Sequence, residues 1–297
     1  MNILMTGGTG FIGKRLVNAL TKKGHHIYIL TRTPKKYHDT EQISYISYNY
    51  PMKRLPFIHA MINLAGESLF GYWTDNKKKH ILDSRIQATE KLTSILMSME
   101  TKPEVFISGS AVGYYGSNNE KIFTEATTTP GNDFLSSVCT KWEAAAHMAE
   151  DMNIRTVYTR FGVVLDKEEG AFPMMALPFK FGVGGKVGDG HQYLSWIHIH
   201  DCVGLLIHAL MNKKINGPLN VTAPYPIQNK EFTHILAKQL WRPAFLHVPN
   251  KMFELTLGEM SQLMTKGQYV LPQKAIDTKY TFRYKHINDA IEAIYQK

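Results

Sequence analysis

The stretch that decides the fold is TGGTGFIG, residues 6–13. It follows a short apolar segment, residues 2–5, and opens an amphipathic segment that ends near Gly24. In a strand–turn–helix unit, glycines permit the tight turn, let the backbone approach a pyrophosphate and let helix and strand pack closely. The helix N-terminus then offers free N–H groups and a partial positive charge to an anion. The stretch therefore predicts a dinucleotide-binding turn that contains Gly7, Thr9, Gly10, Phe11, Ile12 and Gly13.

The end of the second predicted strand indicates which dinucleotide is bound. An acidic residue is expected there, roughly twenty residues after the glycines, to bind a ribose 2′-hydroxyl. The chain instead reads TRTPKK at residues 31–36. A guanidinium pairs with a 2′-phosphate through charge-assisted hydrogen bonds, whereas an acid would repel it. We therefore predict that Thr31 and Arg32 contact the cofactor and that NADP(H) is preferred over NAD(H), while Lys35 and Lys36 also fit a solvated basic turn.

The composition is typical of a globular protein. The chain has 297 residues, of which 44% are hydrophobic and 20% charged, enough for a large core. It contains no run of eighteen apolar residues, and its first residues enter a strand without a charged and then apolar leader. We therefore predict a cytoplasmic protein with no membrane partner.

Cysteine content and charge exclude two further classes. Cys139 and Cys202 are the only cysteines, too few for a disulfide framework and without metal-ligand spacing, so both are predicted to be small buried thiols. The net charge of +9 is spread along the chain, and Lys77–Lys79 is the only tight run. Nucleic acid is therefore not a predicted partner. A positive field would instead steer an anionic cofactor or substrate toward its cleft.

Strand-like and helix-like segments alternate through the first two thirds of the chain. This pattern predicts an α/β fold, a Rossmann-type doubly wound parallel sheet with a smaller C-terminal substrate lobe. The nucleotide-binding domain is predicted at residues 1–165 plus about 196–222, and the lobe at about 166–195 and 223–297. The link after the third strand is short and contains two prolines. Strands are predicted near 2–6, 26–31, 43–47, 60–65, 104–109, 155–160 and 219–222, and helices near 75–100, 132–152, 201–212 and 286–296.

Three further motifs resemble the extended short-chain dehydrogenase/reductase family, whose members include nucleotide-sugar epimerases. INLAG at 62–66 resembles the fourth-strand motif, SGSAVGYYG at 108–116 the serine motif of the fifth strand, and WIHIHD at 196–201 the late His-x-x-Asp strand end. The resemblance implies cofactor contacts from Leu64, Ala65, Gly66, Arg85, Ser108, Lys141, Val163 and Val164.

Narrower motifs resemble one subgroup, the "epimerase family protein" branch, which has its own short C-terminal domain. They are LAGE at 64–67, KWE at 141–143, GHQY at 190–193 and PYP at 224–226. The resemblance covers essentially the whole chain. It implies a small-molecule substrate and leaves a homodimer open.

The family's catalytic set is only partly present. Its members use a serine, a tyrosine as general acid/base, and a lysine four residues later that lowers the pKa of the phenol. Lys141 matches the lysine, but Ser137 stands in the tyrosine position, and an alcohol has a pKa far above the roughly 10 of a phenol. Because residues i and i+4 share a helix face, Ser137 and Lys141 are predicted to point into one cleft.

Ser110 aligns with the family serine, so it either polarises a substrate carbonyl or satisfies backbone groups at a strand end. Tyr114 and Tyr115 lie just beyond it, and either phenol could replace the missing acid. Burial as a packing aromatic is the alternative for at least one of them.

Arg85 takes the place of a family asparagine, four residues before Thr89. It is predicted to bind a cofactor phosphate, a ribose or an anionic substrate, or else to pair with Glu67 or Asp83. Residues expected to rim the substrate cleft are Glu67, Trp73, Gln192, Tyr193 and Trp196, with core packing as the alternative for the aromatics.

The histidines of the late strand end are predicted to be structural. His198 and His200 have no third ligand nearby, so no metal is expected. Asp201 is interpreted as the N-cap of the following helix.

Two hypotheses for function follow. The first is an NADP(H)-dependent oxidoreductase or epimerase-like enzyme acting on a small polar or anionic, nucleotide-sugar-like substrate. The second is a cofactor-binding regulatory protein without turnover, similar to relatives described as cell-division inhibitors. The missing tyrosine favours the second, whereas Ser110 and Lys141 favour the first.

Overall fold

The computed structural model describes residues 1–296. Its centre is a seven-stranded sheet in the order β12-β7-β5-β4-β1-β2-β3, and every neighbouring pair is parallel. This arrangement confirms the predicted Rossmann-type fold. The sheet strands are β1 (Asn2–Thr6), β2 (His26–Leu30), β3 (Ile43–Ile46), β4 (Ala60–Asn63), β5 (Val105–Ala111), β7 (Arg155–Phe161) and β12 (Gly217–Val221).

Helices cover both faces of the sheet, as parallel strands require. Apolar side chains of α1 and α5 pack on one face, and those of α2 and α3 pack on the other. The helices are α1 (Phe11–Thr21), α2 (Asp75–Ser98), α3 (Phe134–His147), α4 (Phe172–Lys180), α5 (Ile199–Met211), α6 (Asn229–Gln239), α7 (Asn250–Leu257), α8 (Gln262–Thr265), α9 (Gln273–Asp277) and α10 (Ile287–Tyr295). Within residues 1–296 no helix is both long and apolar enough to cross a membrane.

The strand order reverses between β1 and β4, so the connections leave these two strands in opposite directions. Such a reversal opens a crevice at the carboxyl ends of the strands, where ligands of doubly wound sheets bind. The glycine turn follows β1, and the INLAG motif runs from β4 into the loop beyond it. Both motifs therefore reach the same edge of the sheet.

The link between β3 and β4 is abbreviated, as predicted, and holds only a 3-10 helix, Met52–Arg54. The small two-stranded sheets were not predicted because they join segments distant in sequence, where local periodicity carries no signal. Their strands are β6 (Asn118–Phe123) with β15 (Gln268–Val270), β8 (Val163–Leu165) with β11 (Trp196–His198), β9 (Gly185–Val187) with β14 (Leu246–Val248), and β10 (Tyr193–Leu194) with β13 (Ile227–Gln228).

A second hydrophobic cluster joins α4, α6 and α10 around the fully buried Trp196. The three helices lie in segments that the sequence assigns to the C-terminal lobe, whereas Trp196 lies at the start of a segment assigned to the nucleotide-binding domain. The predicted limits of the two domains stay a prediction.

The N-cap assignment of Asp201 is wrong. His198 caps α5, its Nδ1 accepting the N–H of His200 at 3.1 Å. Asp201 is fully buried in the first turn, and its carboxylate accepts the backbone N–H groups of Arg283 at 2.9 Å and Tyr284 at 2.8 Å. The buried carboxylate therefore ties the C-terminal segment to α5.

The cap makes stability depend on pH. Burial lowers the pKa of His198 to about 4, and the nearby Asp201 and Asp166 only partly offset the effects of burial, His200 and Arg283. Because the folded pKa lies below the ordinary 6.5, the neutral ring stabilises the fold above pH 6.5, and this contribution is lost as the pH falls toward 4.

Between about pH 6.5 and 4, the free energy of unfolding should fall by about 3 kcal/mol less in His198→Gln than in the unmodified protein. Urea denaturation of both proteins across this range measures the difference. Parallel pH curves for the two proteins would contradict the assignment.

Candidate dinucleotide-binding site

The glycine turn fits closely against the loop after β4. Gly7 has a φ of 71°, and a Cβ built on it would lie 2.7 Å from the backbone nitrogen of Ala65. A Cβ on Gly13 would lie 2.8 Å from the carbonyl carbon of Gly7. Both positions therefore require glycine, one for its backbone conformation and both for the close approach.

The N-terminus of α1 is free to bind an anion. Gly10 is its N-cap, no side chain caps it, and its first turn holds no acidic residue. Thr9 and Gly10 are exposed at the turn. The backbone N–H groups of the first turn therefore suit a pyrophosphate, and this geometry fits a dinucleotide.

Thr31 and Arg32 follow β2 at the same edge of the sheet. The backbone N–H of Thr31 bonds to the carbonyl of Ile46 at 3.0 Å, which holds the strand end in place. Arg32 is exposed and has no carboxylate within 4.0 Å among residues 1–296. Its guanidinium is therefore available to a phosphate.

A series of buried hydrogen bonds joins the strands and the helix beside the crevice. The Thr6 hydroxyl donates to Asn63 Oδ1 at 2.7 Å, and Asn63 Nδ2 donates to Thr89 Oγ1 at 2.8 Å. The Thr89 hydroxyl in turn donates to the carbonyl of Arg85 at 2.7 Å. The chain joins β1, β4 and α2. Sequence reasoning gave Asn63 and Thr89 no role, although polar residues at apolar strand and helix positions are a usable signal.

The two serines of β5 differ in their partners. Ser108 is fully buried, and its Oγ has no hydrogen-bond partner within the described residues. Ser110 Oγ donates to Glu143 Oε1 at 2.6 Å and is almost fully buried. The partner of Ser110 is thus a carboxylate, not the backbone groups considered from sequence.

Glu143 is the centre of a buried network that the sequence analysis missed. Arg160 Nε donates to Glu143 Oε1 at 2.8 Å, and Nη2 donates to Oε2 at 2.8 Å. Arg160 Nη1 also donates to the hydroxyl of Tyr115 at 2.9 Å, and that hydroxyl donates to Asn220 Oδ1 at 2.8 Å. The network ties α3 to β7 and β12 behind Ser110.

Both tyrosines of the motif are packing residues, so the prediction that Tyr114 or Tyr115 acts as the acid needs correction. The Tyr114 hydroxyl donates to the carbonyl of Thr128 at 2.6 Å, and the Arg160 guanidinium lies 3.5 Å from the centre of the Tyr114 ring. Burial raises the pKa of Tyr115 to about 12. Tyr115 therefore stays protonated near neutral pH, and the hydroxyl of Tyr114 is occupied by the carbonyl of Thr128.

Lys141 and Ser137 were predicted to point into one cleft, but both lie on the face of α3 that is turned away from the sheet. Both are exposed, whereas Cys139 and Trp142 are buried. A Cβ on Gly109 of β5 would lie 2.8 Å from the Trp142 ring. Ser137 and Lys141 share one helix face. Each is two residues from Cys139, and at about 100° per residue this places both on the opposite side of α3 from Cys139. Burial raises the pKa of the Cys139 thiol to about 12, so the residue facing the sheet is a neutral thiol.

The apolar spacing of α3 indicates which face of the helix packs on the sheet, and it argues against a cleft position for Ser137 and Lys141. Leu135, Val138, Cys139, Trp142 and Ala146 follow the i, i+3, i+4, i+7, i+11 pattern of a core-facing stripe. The positions opposite that stripe include Ser137 and Lys141.

Arg85 lies partly buried beside the crevice. Its Nη1 donates to the carbonyl of Ile81 at 2.8 Å, and its guanidinium lies 5.2 Å from the Trp142 ring. A Cβ on Gly66 would lie 3.2 Å from Arg85 Cζ. Neither predicted ion pair forms, because Glu67 bonds to Lys77 at 2.9 Å and Asp83 lies in no salt bridge within the described part.

Most of the predicted substrate residues are engaged elsewhere. Trp73 Nε1 donates to the carbonyl of Leu69 at 2.8 Å and Trp196 Nε1 to that of Tyr225 at 3.0 Å. Buried Gln192 donates to the carbonyls of Val187 and Met264. The structure therefore corrects the substrate role predicted for Trp73, Trp196 and Gln192. Tyr193 is half-buried against Tyr269, and Glu67 is exposed.

Val163 and Val164 belong to β8, and the loop after β8 meets α1. A Cβ on Gly170 would lie 2.7 Å from the Phe11 ring, and Arg15 bonds to Asp166 at 3.3 Å. This loop therefore borders the glycine turn. Ile12 is half-buried in the first turn of α1. Across residues 1–296, no group of three or more histidine, cysteine or acidic side chains could hold a metal ion.

Comparison with known proteins agrees with this architecture. The model of the NAD dependent epimerase/dehydratase family matches residues 3–222, and a domain of unknown function, DUF1731, matches residues 248–294. The epimerase family protein YfhF of Bacillus subtilis is 46% identical over 300 aligned positions, which cover 99% of this chain and 98% of that protein.

Solved structures show the same fold. The human epimerase family protein SDR39U1, crystallised with NADPH, has a TM-score of 0.89 and 33% identity, with 99% of each chain covered. UDP-glucuronic acid 4-epimerase from Bacillus cereus, in complex with UDP-glucuronic acid and NAD, has a TM-score of 0.78 at 18% identity and covers 99% of this chain and 98% of its own. The chain therefore belongs to the NAD dependent epimerase/dehydratase family of extended short-chain dehydrogenases/reductases.

Proposed function

We propose that the protein is an NADP(H)-dependent oxidoreductase or epimerase-like enzyme acting on a small polar or anionic substrate. One observation carries the cofactor preference: the end of β2 presents Arg32, exposed and without an acidic partner among the described residues, where an acid would select NAD(H). The human relative crystallised with NADPH supports the same preference.

The residues at the crevice suit each part of the cofactor. The free N–H groups after Gly10 would hold the pyrophosphate, and Arg32 would hold the 2′-phosphate. Leu64, Ala65 and Gly66 would line the crevice beside β4, and Ser108 would donate or accept one hydrogen bond. When bound, the nicotinamide supplies or accepts a hydride, and the protein orients it.

Arg32→Ala is the test of this preference. We expect it to weaken NADPH binding about tenfold or more and to leave NADH binding unchanged, because only NADPH carries the 2′-phosphate. Fluorescence titration with both cofactors measures the two Kd values. Arg54→Ala removes another exposed arginine and is the control. Tighter binding of NADH than NADPH by the unmodified protein would refute the proposal.

Ser110 and Arg85 are the polar side chains near the end of β5 and β4 that would contact a reacting group. Incubation with NADPH and a panel of carbonyl compounds and nucleotide sugars, followed at the absorbance of the reduced cofactor, tests for turnover. Turnover that is lost in Ser110→Ala supports the enzyme.

A cofactor-binding regulator without turnover is the second candidate. The observation that favours it is the placement of Lys141 on the exposed face of α3, together with the buried phenols of Tyr114 and Tyr115. Tight NADPH binding with no turnover across the panel favours this candidate. The sequence predicts a cytoplasmic location and no nucleic-acid or membrane partner, and it allows a homodimer.

A further inference from the structure

Arg85 is a cation without a counter-charge at the crevice. Its guanidinium lies close to Gly66 and 5.2 Å from the centre of the Trp142 ring. One of its nitrogens bonds to the carbonyl of Ile81, and no carboxylate lies within 4.0 Å in the described part of the chain. Burial lowers the pKa of Arg85 from its ordinary value, yet a guanidinium stays charged in proteins. A partly buried charge normally has a partner.

A second unpartnered donor belongs to the residue on which Arg85 stacks. Trp142 Nε1 is buried and has no acceptor among residues 1–296. The guanidinium retains N–H groups beyond the one bonded to Ile81. The nearest acid in the motif, Glu67, is engaged by Lys77. The site thus offers N–H groups and a positive charge, and its neighbouring carboxylate is paired with Lys77. Such a site is complementary to anionic oxygen atoms.

The position of Arg85 separates it from the predicted phosphate sites. The pyrophosphate would lie at the N-terminus of α1, which follows β1, and the 2′-phosphate would lie at Arg32, which follows β2. Arg85 instead lies on α2 and faces α3 through Trp142. Because α2 joins β4 to β5, Arg85 lies on the β5 side of the crevice.

We propose that Arg85, stacked on Trp142, binds an anionic oxygen group of the substrate, a carboxylate or a phosphate. The proposal deepens the proposed function and rests on it, because it places the substrate beside a bound nicotinamide. The guanidinium offers two parallel N–H groups to the anion, which fixes the orientation of the substrate as well as its charge.

The experiment titrates probe ligands into the NADPH-bound protein by calorimetry. Pyruvate and inorganic phosphate are the anionic probes, and acetone is the neutral counterpart of pyruvate. We expect saturable binding of at least one anion and none of acetone. We expect Arg85→Gln to weaken the anion at least about tenfold and to leave the Kd of NADPH within about twofold.

Three further variants control for structure. Arg85→Lys keeps the charge but loses the pair of parallel N–H groups, so it should retain part of the affinity for the anion. Trp142→Phe removes only the indole N–H and the larger ring, and should weaken the anion by a smaller factor. Arg54 is an exposed arginine, so Arg54→Gln should change neither the Kd of the anion nor that of NADPH. Thermal unfolding of each variant verifies that it is folded.

The outcomes separate this proposal from the proposed function. Loss of NADPH binding with unchanged anion binding in Arg85→Gln would make Arg85 a cofactor contact and overturn the inference. Equal anion binding by both proteins, or none by the unmodified protein, would also overturn it. If the unmodified protein binds no NADPH, the proposed function fails, and the same titration on the free protein then decides the anion site alone.

Discussion

Gly7→Ala is expected to lower the free energy of unfolding by about 3 kcal/mol and to weaken NADPH binding at least about tenfold. Two effects add: a left-handed φ costs an alanine about 1–2 kcal/mol, and overpacking against backbone costs a similar amount. The φ of Gly7 is 71°, and the new Cβ would press on the backbone of Leu64 and Ala65, which cannot move without displacing β4. Urea denaturation and fluorescence titration measure the two losses.

Gly24→Ala is the matched control. Gly24 has a φ of 79°, but a Cβ there meets no atom within 4 Å. It therefore carries the same backbone strain without the clash, and we expect a loss of about 1 kcal/mol with unchanged NADPH affinity. Equal losses in the two variants would show that close packing of the turn against β4 contributes nothing.

Glu143→Ala should cost about 3–5 kcal/mol of stability. The substitution leaves the Arg160 guanidinium, which is 2% exposed, without its bidentate carboxylate, and an uncompensated buried charge is far more costly than the loss of the pair itself. It also removes the acceptor of Ser110. Chemical denaturation at neutral pH measures the change.

The double variant Glu143→Ala, Arg160→Met removes both charges and should be more stable than Glu143→Ala alone. Glu104→Ala serves as an exposed control, because its partner Lys213 is 82% exposed and surface pairs contribute little. A double variant no more stable than the single one would mean that the orphaned charge is not the source of the loss.

The sheet and the glycine turn could be predicted because their signals are local. Residues 6–13 carry the turn chemistry within one strand–turn–helix unit, and the strand predictions for the sheet lie within two residues of the observed ends. The candidate cofactor residues of the glycine turn and of the end of β2 needed only the rule that parallel strands end at one edge, whereas the others came from the family resemblance.

The candidate catalytic residues were harder to predict because their surroundings depend on tertiary contacts. A match of Lys141 to a family lysine says nothing about helix rotation, which the apolar stripe of α3 decides. The partners of Tyr115 and Glu143 come from β7 and β12, so only the folded chain reveals that one phenol is buried and that Ser110 bonds to a carboxylate.

The attachment of Asp201 to residues 283 and 284 has a consequence for synthesis. Until the ribosome has released those residues, the carboxylate in α5 lacks the two amide donors that it has in the finished fold. Because α5 shares a hydrophobic core with α1, we expect a nascent chain to complete the crevice beside β1 only after residues 283 and 284 have emerged. Cofactor capture should therefore follow translation and should not accompany it.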